Sequence, residues 1–239
     1  MINIFFNSVC SRIFEPRVLG RHHWRLRLRP GLVGLLAAVL HPAFAAAETL
    51  NARVINQDGE PVADAVVYFP EVRGEPEATP TAVVDQEDKE FIPYVTVVRA
   101  GTEVDFPNRD NIRHHVYSFS ESKSFELPLY KGRSANPVIF EQTGVVPLGC
   151  NIHDWMQAYI FVTESRHFGV TDARGRVQLP GVPSGRQRVQ VWHPALATAP
   201  ADTAKTLDLA NATTPVTFSI PQKRLWSQWR APQSGFGGY

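Results

Sequence analysis

The stretch GCNIHDWM, residues 149–156, places a thiol, an imidazole and a thioether three residues apart, at Cys150, His153 and Met156. Short apolar runs flank it at 145–148 and 159–163, so the stretch is predicted to be a loop that joins two strands. The whole chain of 239 residues contains only two Cys and two Met. The presence of one of each in a single loop favours a metal site, the chemistry that these three side chains share.

The N-terminus predicts export from the cytoplasm. Six Arg lie within the first 29 residues, residues 31–44 are mostly apolar, and small Ala residues follow up to Ala47. This pattern is typical of a secretory signal peptide, residues 1–47, cleaved near Ala47, and we expect a periplasmic protein. A membrane anchor is the alternative, but the apolar run is interrupted by His41 and Pro42 and falls short of the roughly 20 residues that a spanning helix needs.

Cleavage of the signal peptide would change the Cys and Met content and the net charge of the chain. It would remove Met1 and Cys10 and leave Cys150 and Met156 as the sole Cys and Met, so that no intramolecular disulfide is possible. A lone thiol in an oxidising compartment must be buried, reactive or bound to a ligand. The remaining chain would hold 18 Lys and Arg against 22 Asp and Glu, a net charge of −4, which does not favour nucleic-acid binding.

The rest of the chain predicts an all-β protein. Short β-type runs alternate with Gly, Pro and Asp turns, and no long stretch has helical periodicity. We divide the chain after the signal into four parts, namely an N-terminal β-hairpin and connector at 48–80, a first β domain at 81–164, a C-terminal β domain at 165–222 and a flexible Trp/Gly-rich tail at 223–239.

The ligand types favour copper. Thiolate, thioether and imidazole together select this metal, and two His with one Cys and a weak axial Met form an electron-transfer copper site. The missing His is found upstream, where His114 and His115 stand at the start of a predicted strand. Zinc is the alternative metal, but structural zinc sites use four strong ligands, and Met is a weak one.

These residues resemble the cupredoxin superfamily, which includes plastocyanin and amicyanin. The pattern C-x-x-H-x-x-M of the loop has the spacing of amicyanin, and the phrases FPNRDNIRHHVYSFS, FELPLYKG and GCNIHDWM are similar to periplasmic proteins labelled methylamine utilisation proteins. The resemblance implies a Greek-key β-sandwich with one type 1 (blue) copper ion. It also implies a set of site residues: the metal ligands are His114, Cys150, His153 and Met156, with His115 and Asn108 as supporting residues or alternative ligands.

The resemblance also implies a function. A cupredoxin carries single electrons between redox proteins, and a c-type cytochrome or a periplasmic dehydrogenase is the expected partner. His153 would face solvent, with Trp155 or Tyr159 near the docking surface. We expect no enzymatic activity, since the extra His-x-His pairs of a multicopper oxidase are missing from the sequence. The alternatives are a copper-binding or copper-delivery protein and a β-sandwich interaction module.

A second resemblance concerns the flanking parts. The segments DGEPVADAVVYF, residues 58–69, and TDARGRVQLPGVPSGRQRVQVWH, residues 171–193, look like two halves of a carboxypeptidase-regulatory, transthyretin-like sandwich. It implies that the copper domain is inserted into this sandwich. The alternative is that the N-terminal hairpin belongs to the cupredoxin sheet and the C-terminal part stands alone.

Overall fold

The computed structural model describes residues 47–74, 81–133, 136–211 and 214–225. The predicted signal peptide and most of the predicted tail lie outside these residues. Within them the chain forms strands and two short 3-10 helices, so the all-β prediction is confirmed. No helix in this part of the chain is long and apolar enough to cross a membrane.

The strands are numbered in chain order: β1 (Ala47–Ile55), β2 (Val66–Tyr68), β3 (Thr81–Val83), β4 (Asp85–Glu87), β5 (Glu90–Ile92), β6 (Val95–Arg99), β7 (Thr102–Asp105), β8 (His114–Phe119), β9 (Ser124–Tyr130), β10 (Val138–Phe140), β11 (Gly144–Gly149), β12 (Gln157–Thr163), β13 (Phe168–Val170), β14 (Arg176–Pro183), β15 (Arg186–Trp192), β16 (Lys205–Asp208) and β17 (Val216–Ser219). The 3-10 helices are Pro200–Thr203 and Leu209–Asn211.

The middle of the chain folds into a first sandwich. One sheet has the order β10-β7-β3 and the other the order β6-β12-β11-β8-β9, while β4 and β5 pair separately as a hairpin. Alternate residues of the strands point inward, as the period of two requires. The enclosed core includes Phe106, Val116, Phe140 and Ile160, none of which is exposed, and each such side chain stabilises the fold by about 1.5–3 kcal/mol.

A second sandwich contains strands from both ends of the described chain. Its sheets have the orders β14-β1-β17 and β13-β2-β15-β16, and its core includes Leu50, Val67, Phe69 and Phe218. Of the two arrangements considered above, the strand pairing therefore places β1 and β2 with the C-terminal strands. The transthyretin-like resemblance and the domain boundaries stay predictions.

The two N-terminal strands do not form the ladder of a hairpin. Asn56 Oδ1 accepts the N–H groups of Asp58 and Glu60 and reverses the chain, but only one bridge, Ile55 with Pro61, follows it. The ladder stops there because the N–H of Val54 donates to the carbonyl oxygen of Gly175 and the N–H of Asp64 to that of Thr171. All three residues of β2 are buried, and this strand lies between β13 and β15 in the other sheet of the second sandwich.

The two sandwiches share an apolar cluster. Val66 and Tyr68 of β2 pack with Phe161 of β12 and Trp192 of β15. The rings of Phe161 and Trp192 are stacked, with centroids 5.1 Å apart and an interplanar angle of 26°. This cluster therefore covers the outward face of the five-stranded sheet at β12. The opposite face of the same sheet packs against the core of the first sandwich.

Candidate metal centre

Three potential ligands converge at one end of the first sandwich. The Sγ of Cys150 lies 4.0 Å from the Nδ1 of His114 and 4.0 Å from the Nδ1 of His153. The three ligand atoms all lie within 4.8 Å of one another, and all three residues are buried. Cys150 is a free cysteine, so its sulfur is available for a metal.

Neighbouring strands bring these residues together. His114 is the first residue of β8, and Cys150 directly follows β11, which pairs with β8 at Gly149 and Tyr117. His153 lies in the loop between β11 and β12, where its carbonyl oxygen accepts the N–H of Met156 at 3.0 Å. The sequence-distant halves of the predicted site therefore meet because two paired strands end at the same edge.

The spacing fits a single metal ion. With zinc bond lengths as a scale, about 2.3 Å to sulfur and about 2.0 Å to nitrogen, one ion can bind both atoms only if they lie within about 4.3 Å of each other. The observed sulfur-to-nitrogen distances of 4.0 Å satisfy this limit. A thiolate with two imidazoles is a donor set that suits copper. The residues present therefore fit the metal that the sequence predicts.

Met156 is buried beside this group. Its side chain is 1% exposed and belongs to the same core cluster as Cys150. A buried thioether in this cluster is consistent with a weak axial ligand. Ligation by Met156 stays a prediction.

His114, rather than His115, is the imidazole that faces Cys150. His115 Nε2 lies 2.8 Å from Glu126 Oε1, and its ring lies 5.4 Å from that of Tyr117. Successive residues of a strand point to opposite faces of the sheet, so only one of the two neighbours can reach the metal group. The alternative ligand His115 is thus turned away from the site.

Asp110 is a site residue that the sequence reasoning missed. Its Oδ2 lies 2.6 Å from Nε2 of His114. Partial burial opposes ionisation of this carboxyl, but the hydrogen bonds from His114 and from the N–H groups of Lys89 and Asp88 prevail and lower its pKa. The sequence signal was an acidic residue four positions before the predicted ligand.

Asn108 supports the loop rather than contacting the ligands. Its Nδ2 donates to the carbonyl oxygens of Ile112 and Tyr130, each at 2.9 Å. Its Oδ1 accepts the N–H of Asp110, also at 2.9 Å. Asn108 therefore fixes the turn that leads into His114.

His153 lies closest to solvent among the three grouped ligands. It is 8% exposed, against 0% for His114 and 4% for Cys150. Burial, followed by the influence of His114 and Lys89, lowers the pKa of His153, while Asp110 opposes the shift. A lowered pKa favours the neutral imidazole, which is the form that binds a metal.

The two predicted docking residues lie in different places. The Trp155 ring is 5.1 Å from that of His153, and Trp155 packs half-buried against the first core. Tyr159 instead packs against Tyr94 and Trp192, with ring centroids 5.6 and 6.1 Å apart. It therefore belongs to the shared cluster between the sandwiches, because it points outward from β12.

Comparisons with known proteins give structural matches. No protein-family model matches the chain, and no curated protein matches it. The purple cupredoxin from Nitrosopumilus maritimus matches at 20% identity and a TM-score of 0.31, over 35% of this chain and 99% of that one. An amicyanin variant in its reduced Cu(I) form matches at 22% identity and a TM-score of 0.32, over 40% of this chain and 97% of that one.

A larger protein also matches in part. The Cu-containing nitrite reductase from Thermus scotoductus SA-01 has 25% identity and a TM-score of 0.34, over 40% of this chain but 25% of its own. These three solved structures are thus two cupredoxins and a copper-containing reductase, and each similarity covers 35–40% of this chain.

Proposed function

We propose that this protein is a periplasmic type 1 copper protein that carries single electrons between redox partners. The observation that carries the proposal is the placement of the Nδ1 atoms of His114 and His153, each 4.0 Å from the buried Sγ of Cys150. Copper, when bound, would supply a one-electron couple between its +1 and +2 states. One electron would enter from a reduced partner and leave to an oxidised one.

The protein residues would hold the ligands in place during this exchange. Cys150 would bind as the thiolate, with His114 and His153 as imidazole ligands and Met156 as a weak thioether ligand. Burial of all four residues in a rigid sandwich restricts their movement, since protein cores are close-packed. Limited rearrangement between the two oxidation states favours rapid electron transfer.

His153 is the proposed electron route to a partner. It is the most exposed of the grouped ligands, and Ile152, which precedes it, is 50% exposed. An exposed apolar side chain next to a metal ligand suits transient docking of a redox protein such as a c-type cytochrome or a periplasmic dehydrogenase. Trp155 would line this surface through its contact with His153.

A visible absorption spectrum tests the copper site. The exported chain would be purified, stripped of metal and titrated with Cu(II), beside a Cys150→Ser variant. We expect an intense thiolate-to-copper band that saturates at one equivalent and is lost in the variant. Zinc retention without such a band, or no metal retention, would contradict the proposal.

Voltammetry tests the carrier function and the role of Met156. We expect a reversible one-electron couple in the copper-loaded protein. A Met156→Leu variant should retain the thiolate band but change the reduction potential, since the axial ligand tunes it. An irreversible couple, with transfer of copper to an acceptor protein, would instead indicate copper delivery.

A further inference from the structure

Asp110 contacts the predicted metal ligand His114 without being a ligand itself. Asp110 Oδ2 lies 2.6 Å from His114 Nε2, with the imidazole side chain 0% exposed and the carboxyl side chain 14% exposed. We propose that Asp110 is a positioning residue that orients His114 and strengthens it as a ligand for Cu(II). This inference rests on the copper function proposed above.

The carboxylate is itself held by the hairpin of β4 and β5. The N–H of Asp88 donates to Asp110 Oδ1 at 2.8 Å, and the N–H of Lys89 donates to Oδ2 at 2.9 Å. Asp88 and Lys89 have φ angles of 54° and 61°, which direct both N–H groups to one side of the turn. Rotation of the carboxylate away from His114 would sacrifice these hydrogen bonds.

The backbone of Asp110 is anchored as well. Its N–H donates to Asn108 Oδ1 at 2.9 Å, while Asn108 Nδ2 donates to the carbonyl oxygen of Tyr130 in β9 at 2.9 Å. Because β9 pairs with β8, and Tyr130 with His114, the loop and the ligand share one support. Asp110 is thus held against His114 from two directions.

This arrangement selects one form of the imidazole. An ionised carboxylate only accepts hydrogen bonds, so Nε2 of His114 carries the hydrogen. In the neutral imidazole, the form that binds a metal, the lone pair of His114 then lies on Nδ1, and this atom faces Cys150 at 4.0 Å. A carboxylate partner also raises the basicity of a ligating His.

The charge of Asp110 has a further consequence for the redox couple. Negative charge near a metal stabilises its more highly charged state, so the contact should favour Cu(II) over Cu(I). We therefore expect Asp110 to lower the reduction potential of the site and to tighten Cu(II) binding.

An Asp110→Asn variant tests the effect of the charge, with Asp172→Asn as the matched control. Asp172 also accepts two backbone N–H groups in a turn, those of Arg174 and Arg176, but it lies in the second sandwich. We expect Asp110→Asn to bind Cu(II) about 10–100-fold more weakly, with a smaller change for Cu(I). A tenfold smaller preference of the site for Cu(II) over Cu(I) would raise its reduction potential by about 59 mV.

Competition titrations with both copper states and voltammetry would measure these changes. The control should retain the affinity and the potential of the wild-type protein. An Asp110→Asn variant with wild-type affinity and potential would overturn the inference.

A second measurement does not depend on copper redox chemistry. Nitrogen-15 NMR of the metal-free protein should show His114 with its hydrogen on Nε2, and Asp110→Ala should lose this preference and bind Zn(II) more weakly. Folding of each variant is read from the same spectra. An unchanged His114 tautomer and an unchanged Zn(II) affinity in Asp110→Ala would overturn the inference. A wild-type protein that lacks the thiolate-to-copper band would contradict the proposed function alone.

Discussion

His114 and His115 show how the position of one residue in a strand decides its chemistry. Both are buried, at 0% and 5% exposure, but they occupy opposite faces of β8. His114 lies between Cys150 and Asp110, whereas His115 contacts Glu126 and Tyr117. Adjacent imidazoles of equal intrinsic chemistry therefore have different roles.

This difference predicts unequal effects of the same substitution. We expect His114→Gln to abolish the thiolate-to-copper band because it removes a ligand, and His115→Gln to retain it. The measurement is the visible spectrum during Cu(II) titration, with circular dichroism as a check on folding. Loss of the band in His115→Gln, with the band kept in His114→Gln, would reverse the assignment of the ligand.

At the scale of elements, the turn between β13 and β14 depends on Gly175. Its φ is +70°, and an added Cβ would lie 2.3 Å from the carbonyl oxygen of Val54. The carbonyl oxygen of Gly175 also accepts the N–H of Val54 at 2.7 Å. The backbone of this turn thus contacts the backbone of β1 directly. Backbone atoms cannot move aside for an added Cβ as a flexible side chain can.

Gly185 provides a matched comparison for Gly175. Its φ is +86°, but an added Cβ would meet no atom within 4 Å. We expect Gly185→Ala to cost about 1–2 kcal/mol from the left-handed backbone alone, and Gly175→Ala to cost about 3 kcal/mol or more because overpacking adds to it. Urea unfolding of both variants measures the free energies. Equal losses would contradict the proposed contact with Val54.

At the scale of the whole molecule, the shared cluster joins the two sandwiches. Phe161 belongs to the first sandwich and Trp192 to the second, and their rings stack at 5.1 Å. Trp192 is 7% exposed, so most of its surface is buried in this contact and its surroundings. We expect the two sandwiches to stabilise each other.

A Trp192→Ala variant tests this coupling. Truncation of a buried Trp costs about 3–5 kcal/mol, and hydrogen exchange should accelerate in both cores, at Val104 of the first as well as at Val54 of the second. Trp192→Phe, which keeps an aromatic ring, should produce a smaller effect. Faster exchange that is confined to the second sandwich would show that the first is stable without it.

The sequence by itself determined the all-β class and the local part of the site. Alternating apolar residues specify strands through the period of two, and Cys150, His153 and Met156 are close because one short loop contains them. Their chemistry favours copper without any knowledge of the fold. The all-β class was predictable because it depends on neighbouring residues alone, and the same holds for the composition of the loop.

The tertiary structure decided the features that depend on distant residues. In the folded chain His114, and not His115, faces Cys150, and Asp110 contacts the far side of the His114 ring. Tyr159 lies in the cluster between the sandwiches, and β1 and β2 lie in different sheets. The pattern of one strand shows which residues share a face, but the pairing with other strands determines what that face contacts. Local periodicity therefore defined the strands, and long-range pairing defined their environment.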